Sequence, residues 1–101
     1  MSTTTYREIP AHLQARTPFR GNSARGCRYG LHSAPGPGLL NDEERRAYGE
    51  AVALADREGL YVVLSYSTPI AWKVGDRPTY VVEQRFSRTT SRQQHLCRTY
   101  L

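Results

Sequence analysis

Apolar positions along the chain keep a helical period in one stretch and a strand-like one in the next. Between Asn41 and Glu58 the residues Tyr48, Ala51, Val52 and Ala55 recur at i, i+3, i+4 and i+7, which predicts an amphipathic helix. Asn41 stands at the N-cap position with Glu44 three residues on, a capping-box arrangement. Asp42, Glu43 and Glu44 fill the first turn, where the helix dipole favours negative charge. Gly59 follows as a residue able to end the helix in the left-handed conformation.

Beyond Gly59 the period changes. Leu60 to Ser67 is rich in β-branched and aromatic residues and predicts a strand that Pro69 breaks. Ile70 to Val74 predicts a second strand, Gly75-Asp76-Arg77-Pro78 a turn, and Thr79 to Phe86 a third strand. Links this short make neighbouring strands antiparallel. Thr90-Ser91-Arg92-Gln93 opens as a second capping box, with Leu96 and Tyr100 turned inward on a short terminal helix. The expected fold is α+β: a three-stranded antiparallel meander, with room for a fourth strand, and helices on one face. One long helix precedes the meander and a short one ends the chain. Its core is expected around Tyr48, Val52, Val63, Ile70, Trp72, Val81 and Leu96.

The remainder of the chain lacks a sustained period. Residues 1–18 read as a loosely structured segment with isolated apolar positions at Tyr6, Ile9 and Leu13, and room for a short helix over Pro10 to Arg16. Residues 19–101 form the single domain. Gly21 to Gly38 holds five of the eight glycines and two of the six prolines, so turns and loops are expected there. The longest apolar run, Leu60 to Leu64, is too short to span a membrane, and the first residues have no apolar core of a signal peptide. The expected location is cytoplasmic.

Charge narrows the partners. Fourteen basic residues stand against nine acidic ones, a net charge of +5, and thirteen of the fourteen are arginine. Residues 1–40 carry +4, residues 41–59 carry −3 and residues 60–101 carry +4. Basic surface beside one acidic helix suits nucleic acid or an acidic protein. Arginine adds a planar fork of five donors matched to phosphate and carboxylate.

Complete catalytic or metal-binding sets are missing. Gly21-Asn22-Ser23-Ala24-Arg25-Gly26 can aim backbone N–H groups at an anion, yet lacks the ending of a phosphate loop and the spacing of a nucleophile elbow. Cys27, His32, His95 and Cys97 show no zinc-ligand spacing, and two cysteines make no disulfide framework. No metal and no cofactor are expected. Ser87 to His95 is the densest polar run, with hydroxyls and guanidinium groups at a helix start. The candidate nucleic-acid or anion-binding residues are therefore Arg20, Asn22, Arg25, Arg88, Thr89, Thr90 and Arg92. Gly21-Asn22-Ser23 needs partners for its backbone groups, and the hydroxyls of Thr89 to Ser91 can supply them. The two polar runs, Phe19–Ser23 and Ser87–Gln93, are expected to meet at one end of the sheet beside Ser65, Thr68 and Pro69.

Three segments carry a resemblance: Phe19-Arg20-Gly21-Asn22-Ser23, Tyr61-Val62-Val63-Leu64-Ser65-Tyr66-Ser67-Thr68-Pro69-Ile70-Ala71 and Ser87-Arg88-Thr89-Thr90-Ser91-Arg92. Together they resemble small uncharacterised domains of phages, notably phages of actinobacteria, and of some bacterial and archaeal genomes. Gln93 stands where that pattern has histidine. The resemblance implies a phage setting and no mechanism. The resulting expectation is a non-enzymatic phage accessory protein that binds nucleic acid or a host protein. The alternative is a small enzyme or anion-binding domain built on the Asn22/Ser23 loop and the Thr89–Gln93 junction.

Overall fold

The computed structural model describes residues 4–101. A 3-10 turn over Tyr6–Glu8 leads into helix α1 (Ile9–Ala15), followed by strands β1 (Phe19–Arg20) and β2 (Ala24–Tyr29). Helices α2 (Asp42–Ala53) and α3 (Ala55–Glu58) come next, then strands β3 (Leu60–Ser65), β4 (Thr68–Val74) and β5 (Tyr80–Val81), and helix α4 (Arg88–Tyr100). The class is α+β, with the strands in one antiparallel sheet of order β1-β2-β3-β4-β5. Among the described residues no helix is long and apolar enough to cross a membrane.

The sheet is wider than the expected meander because β1 forms just before the glycine-rich stretch read as loop and β2 within it. Along β2, Ala24 and Gly26 are buried while Arg25 and Arg28 are exposed, an alternation written in small residues that hydropathy hides. Gly26 has no room for a side chain, since the Phe19 ring and the Tyr61 hydroxyl occupy the place of its Cβ. The third predicted strand shrinks to Tyr80–Val81. The Val82 N–H still donates to the Ile70 carbonyl at 2.9 Å, and the buried Gln94 amide donates to the carbonyls of Val82 and Gln84 at 2.7 and 3.2 Å.

Helices cover both faces of the sheet, not one. Leu60, Val62, Leu64, Trp72 and Val74 pack with Leu40, Tyr48, Ala51 and Ala55 of the α2–α3 side. Tyr61, Val63, Ile70 and Ala71 face the other way, against Ile9 and Leu13 of α1 and Cys97 of α4. Every residue of β3 is therefore buried, as expected of a strand sandwiched between two helical layers. A β-bulge at Val63/Leu64 sets Ile70 and Ala71 on one face and lets Pro69 sit inside β4. The segment expected to be loose is thus helical over 9–15 and part of the core. Its first three residues lie outside the described residues.

Sequence and structure agree closely at the start of α2. The Asn41 side chain accepts from the Glu44 N–H, and the Glu44 carboxylate accepts from the Asn41 N–H, both at 2.9 Å. The helix is interrupted at Leu54, and Gly59 takes φ +85° with an extended ψ of 141° in place of the left-handed helical conformation. Helix α4 begins earlier than predicted, capped by Ser87, whose hydroxyl accepts from the Thr90 N–H at 3.1 Å. Its buried stripe is Thr90, Gln93, Gln94 and Cys97, leaving Leu96 and Tyr100 half-buried. Val82 and Cys97 accordingly take the central places expected of Val81 and Leu96, and Val52 is half-buried. Tyr48, Val63, Ile70 and Trp72 are core, as expected.

Candidate functional site

One end of the sheet gathers the polar segments. The β1–β2 loop (Gly21-Asn22-Ser23) and the β3–β4 turn (Tyr66-Ser67) lie side by side, because Ala24 pairs with Ser65 across the strands. The Tyr66 N–H donates to the Ser23 carbonyl at 2.7 Å. Helix α4 starts at the same corner: the hydroxyls of Ser65 and Thr90 are 2.8 Å apart, and that of Ser87 donates to Thr90 Oγ1 at 3.1 Å. One turn further along α4, Gln93 Nε2 donates to Ser23 Oγ at 2.7 Å. The structure thus brings Phe19–Ser23 and Ser87–Gln93 together beside Ser65. On the far side of the sheet the approach to α2 joins the same corner, where the Leu39 N–H donates to Thr68 Oγ1 at 3.1 Å.

Two depressions flank the β1–β2 loop. The first, about 350 Å³, lies between that loop, the 3-10 turn and the start of α4, with Tyr6, Ile9, Asn22, Ser23, Arg92 and Gln93 among its walls. The second, about 300 Å³, runs from Arg20 and Arg25 across Asn22 and Ser23 to Tyr66 and Ser67. Neither is lined by a histidine, cysteine or carboxylate. Ion pairs among the described residues join Arg16 to Asp76 and Arg77 to Glu58. Among the described residues Arg20, Arg25, Arg88 and Arg92 make no ion pair. Arg92 lies over the Tyr6 ring, 5.0 Å from its centroid, in a cation–π contact.

Of the residues singled out from sequence, Arg20, Asn22 and Arg25 line the second depression, and Asn22, Thr89 and Arg92 the first. Arg88 is exposed at the first position of α4 and lines neither. Thr90 is 3% exposed with its hydroxyl held by Ser65 and Ser87, so it fastens the helix to the sheet instead of facing solvent.

Tyr66 is not among the candidate residues named from sequence, where it reads as one of several aromatics on the sheet that are more often core. It is 68% exposed and has φ +55°, a conformation that hairpin turns reserve for glycine or asparagine. An L-residue there carries about 1–2 kcal/mol of strain, and such strain collects at functional sites. The available signal was the spacing: two residues between a strand ending at Ser65 and one starting at Thr68 demand a tight turn. Gln93, the end of the Ser87–Gln93 run expected to meet Phe19–Ser23, makes the side-chain bond that joins the two halves of the corner.

Neither cysteine lines these depressions. Cys97 is buried under α4, and burial pushes its thiol up to about 12, which leaves it protonated and unreactive.

No curated protein matches this chain, and no solved structure does. A family model described as a family of unknown function, DUF8033, matches residues 39–98. The match takes in α2, β3, β4, β5 and nearly all of α4, hence Tyr66, Thr90, Arg92 and Gln93, while α1 and the β1–β2 hairpin precede it. With more than half of its length matched, the chain belongs to this family of unknown function, DUF8033.

Proposed function

We propose that the protein is a small non-enzymatic binding module, a phage accessory protein by its resemblance, that holds single-stranded nucleic acid across this end of the sheet. One observation carries the reading: three arginines without an ion-pair partner, Arg20, Arg25 and Arg92, line two adjoining depressions that contain no acid, beside an exposed tyrosine held in a strained turn. Single-strand binders combine a basic track for the backbone with aromatic faces on which bases stack. Tyr66 offers such a face, with Arg20 and Arg25 beside it for phosphate. A non-enzymatic role fits the lining, which offers no histidine, cysteine or carboxylate to act as acid or base.

Fluorescence anisotropy with labelled single-stranded DNA and RNA, repeated over a salt series, tests this. Each phosphate neutralised on a single strand adds about −0.7 to the slope of log K against log salt. Replacing Arg20 and Arg25 together by alanine should therefore flatten the slope by about 1.4. Absence of binding at low salt, or a slope indifferent to these arginines, would overturn the proposal and turn attention to a host protein.

A further inference from the structure

We infer that the depression between the 3-10 turn, the β1–β2 loop and the start of α4 is a pocket for a single nucleobase of the bound strand; this rests on the reading above and deepens it. The argument starts from Gln93. Its side chain is only 5% exposed, and its Nε2 is satisfied by Ser23 Oγ at 2.7 Å, but its Oε1 has no hydrogen-bond partner. Buried acceptors are almost always paired, because an unpaired one costs about 1–3 kcal/mol. Gln93 lines the depression with Oε1 itself closed to solvent, so a molecule entering there supplies the missing bond once the side chain turns toward it.

The chemistry of that partner follows from the atoms. A carbonyl oxygen repels phosphate and calls for an N–H donor. The Ser23 hydroxyl can serve either end of the amide. Turned over, Gln93 would present its NH₂ group in place of the oxygen. An edge with donor and acceptor side by side satisfies both orientations, and the Watson–Crick edge of a base is such an edge. The remaining walls suit a flat ring: Tyr6 supplies an aromatic face, and Ile9 and Ala24 supply apolar contact. Arg92, stacked on Tyr6, stands at the exposed side, where the phosphate of the same nucleotide would lie. Tyr6 Oη also donates to the Arg92 carbonyl at 3.4 Å, a long bond that leaves the Tyr6–Arg92 pair free to part as a base enters.

The experiment compares base-bearing with abasic strands. Short homopolymers of A, C, G and T, and a strand of equal length without bases, are titrated against the wild-type protein, Gln93→Leu and Tyr6→Ala. For the wild type at least one homopolymer should bind about tenfold more tightly than the abasic strand, which corresponds to about 1.4 kcal/mol. Gln93→Leu should abolish that advantage. Tyr6→Ala, altered at an exposed side chain, should reduce the advantage in a protein that still folds. Equal binding of abasic and base-bearing strands would overturn the pocket while leaving the nucleic-acid reading intact, as would an advantage that survives both substitutions. Failure of every strand to bind at low salt would overturn both.

Discussion

Thr90→Val separates a structural fastening from a ligand contact at the corner where α4 meets the sheet. Valine copies the shape of threonine, so the substitution opens no cavity and leaves the helix with a β-branched residue as before. What it removes is the hydroxyl between Ser65 and Ser87. Ser87 is exposed and keeps its bond from the Thr90 N–H, so it loses little. Ser65 is 4% exposed, and its hydroxyl has Thr90 as its partner. Stranding that group costs about 1–3 kcal/mol. For a domain of this size each kcal/mol moves the melting temperature by about 4–8 °C. Thr90→Val should therefore melt at least about 4 °C below the parent by circular dichroism, with oligonucleotide affinity at saturating folded protein unchanged. Ser65→Ala alone should cost a similar amount, whereas the double variant should cost less than the two together by about 1 kcal/mol, since removing both partners strands neither. Additive losses, or a Thr90→Val protein melting within about one degree of the parent, would refute the idea that this hydroxyl pair fastens the corner.

Further outcomes can be measured on the same protein. Trp72→Ala should destabilise by about 3–5 kcal/mol in urea, because the indole stacks on Tyr80 at 4.6 Å and meets Tyr48 edge-on at 5.0 Å inside the α2 face; a loss under about 1 kcal/mol would contradict that packing. Tyr66→Asn should raise stability by about 0.5 kcal/mol or more, since asparagine tolerates positive φ and the exposed ring packs little, while weakening single-strand binding; a lower melting temperature would contradict the strain. Alkaline pH should unfold the protein through groups buried in protonated form. Burial pushes Tyr48 up to about 12 from an ordinary 10.0, raises Tyr61 further, and pushes Cys97 up to about 12 from 9.0. Between those values the unfolded chain has released protons that the folded chain still holds, so stability is intact below about pH 9 and falls as pH rises toward 12. A urea midpoint that stays flat from about pH 8 to about pH 11 would contradict this burial.

Local chemistry made much of the fold readable from sequence. The capping box of α2, the change of period after Gly59 and the polar corner all depend on residues near one another in the chain, or on groups that demand partners. What escaped depends on tertiary context. Strand β2 was hidden because its inward positions are Ala24 and Gly26, which carry almost no hydropathy; their smallness makes sense only once Phe19 and Tyr61 are seen against them. The register of α4 was misread because its buried stripe is half amide and hydroxyl: Thr90, Gln93 and Gln94 reach Ser65, Ser23 and the carbonyls beyond β5. Hydrophobic periodicity favoured Leu96 and Tyr100 instead. At the site, arginines could be nominated by type, but only the turn between β3 and β4 exposes Tyr66, and only the approach of the β1–β2 loop makes Gln93 part of a pocket.

The face shared by α1 and α4 imposes an order of assembly on a chain made from its N-terminus. Helix α2 precedes the strands it covers, so one side of the sheet can close as soon as β3 and β4 have left the ribosome. The opposite side cannot. Tyr61, Val63, Ile70 and Ala71 have α1 alone as cover until residues 88–100 emerge, and for that interval an apolar surface is open to neighbouring nascent chains. The same late helix carries Thr90, Arg92 and Gln93. An intermediate that lacks docked α4 would leave this sheet face bare and the first depression without Thr89, Arg92 and Gln93, so docking of α4 buries that surface and completes that depression in a single event.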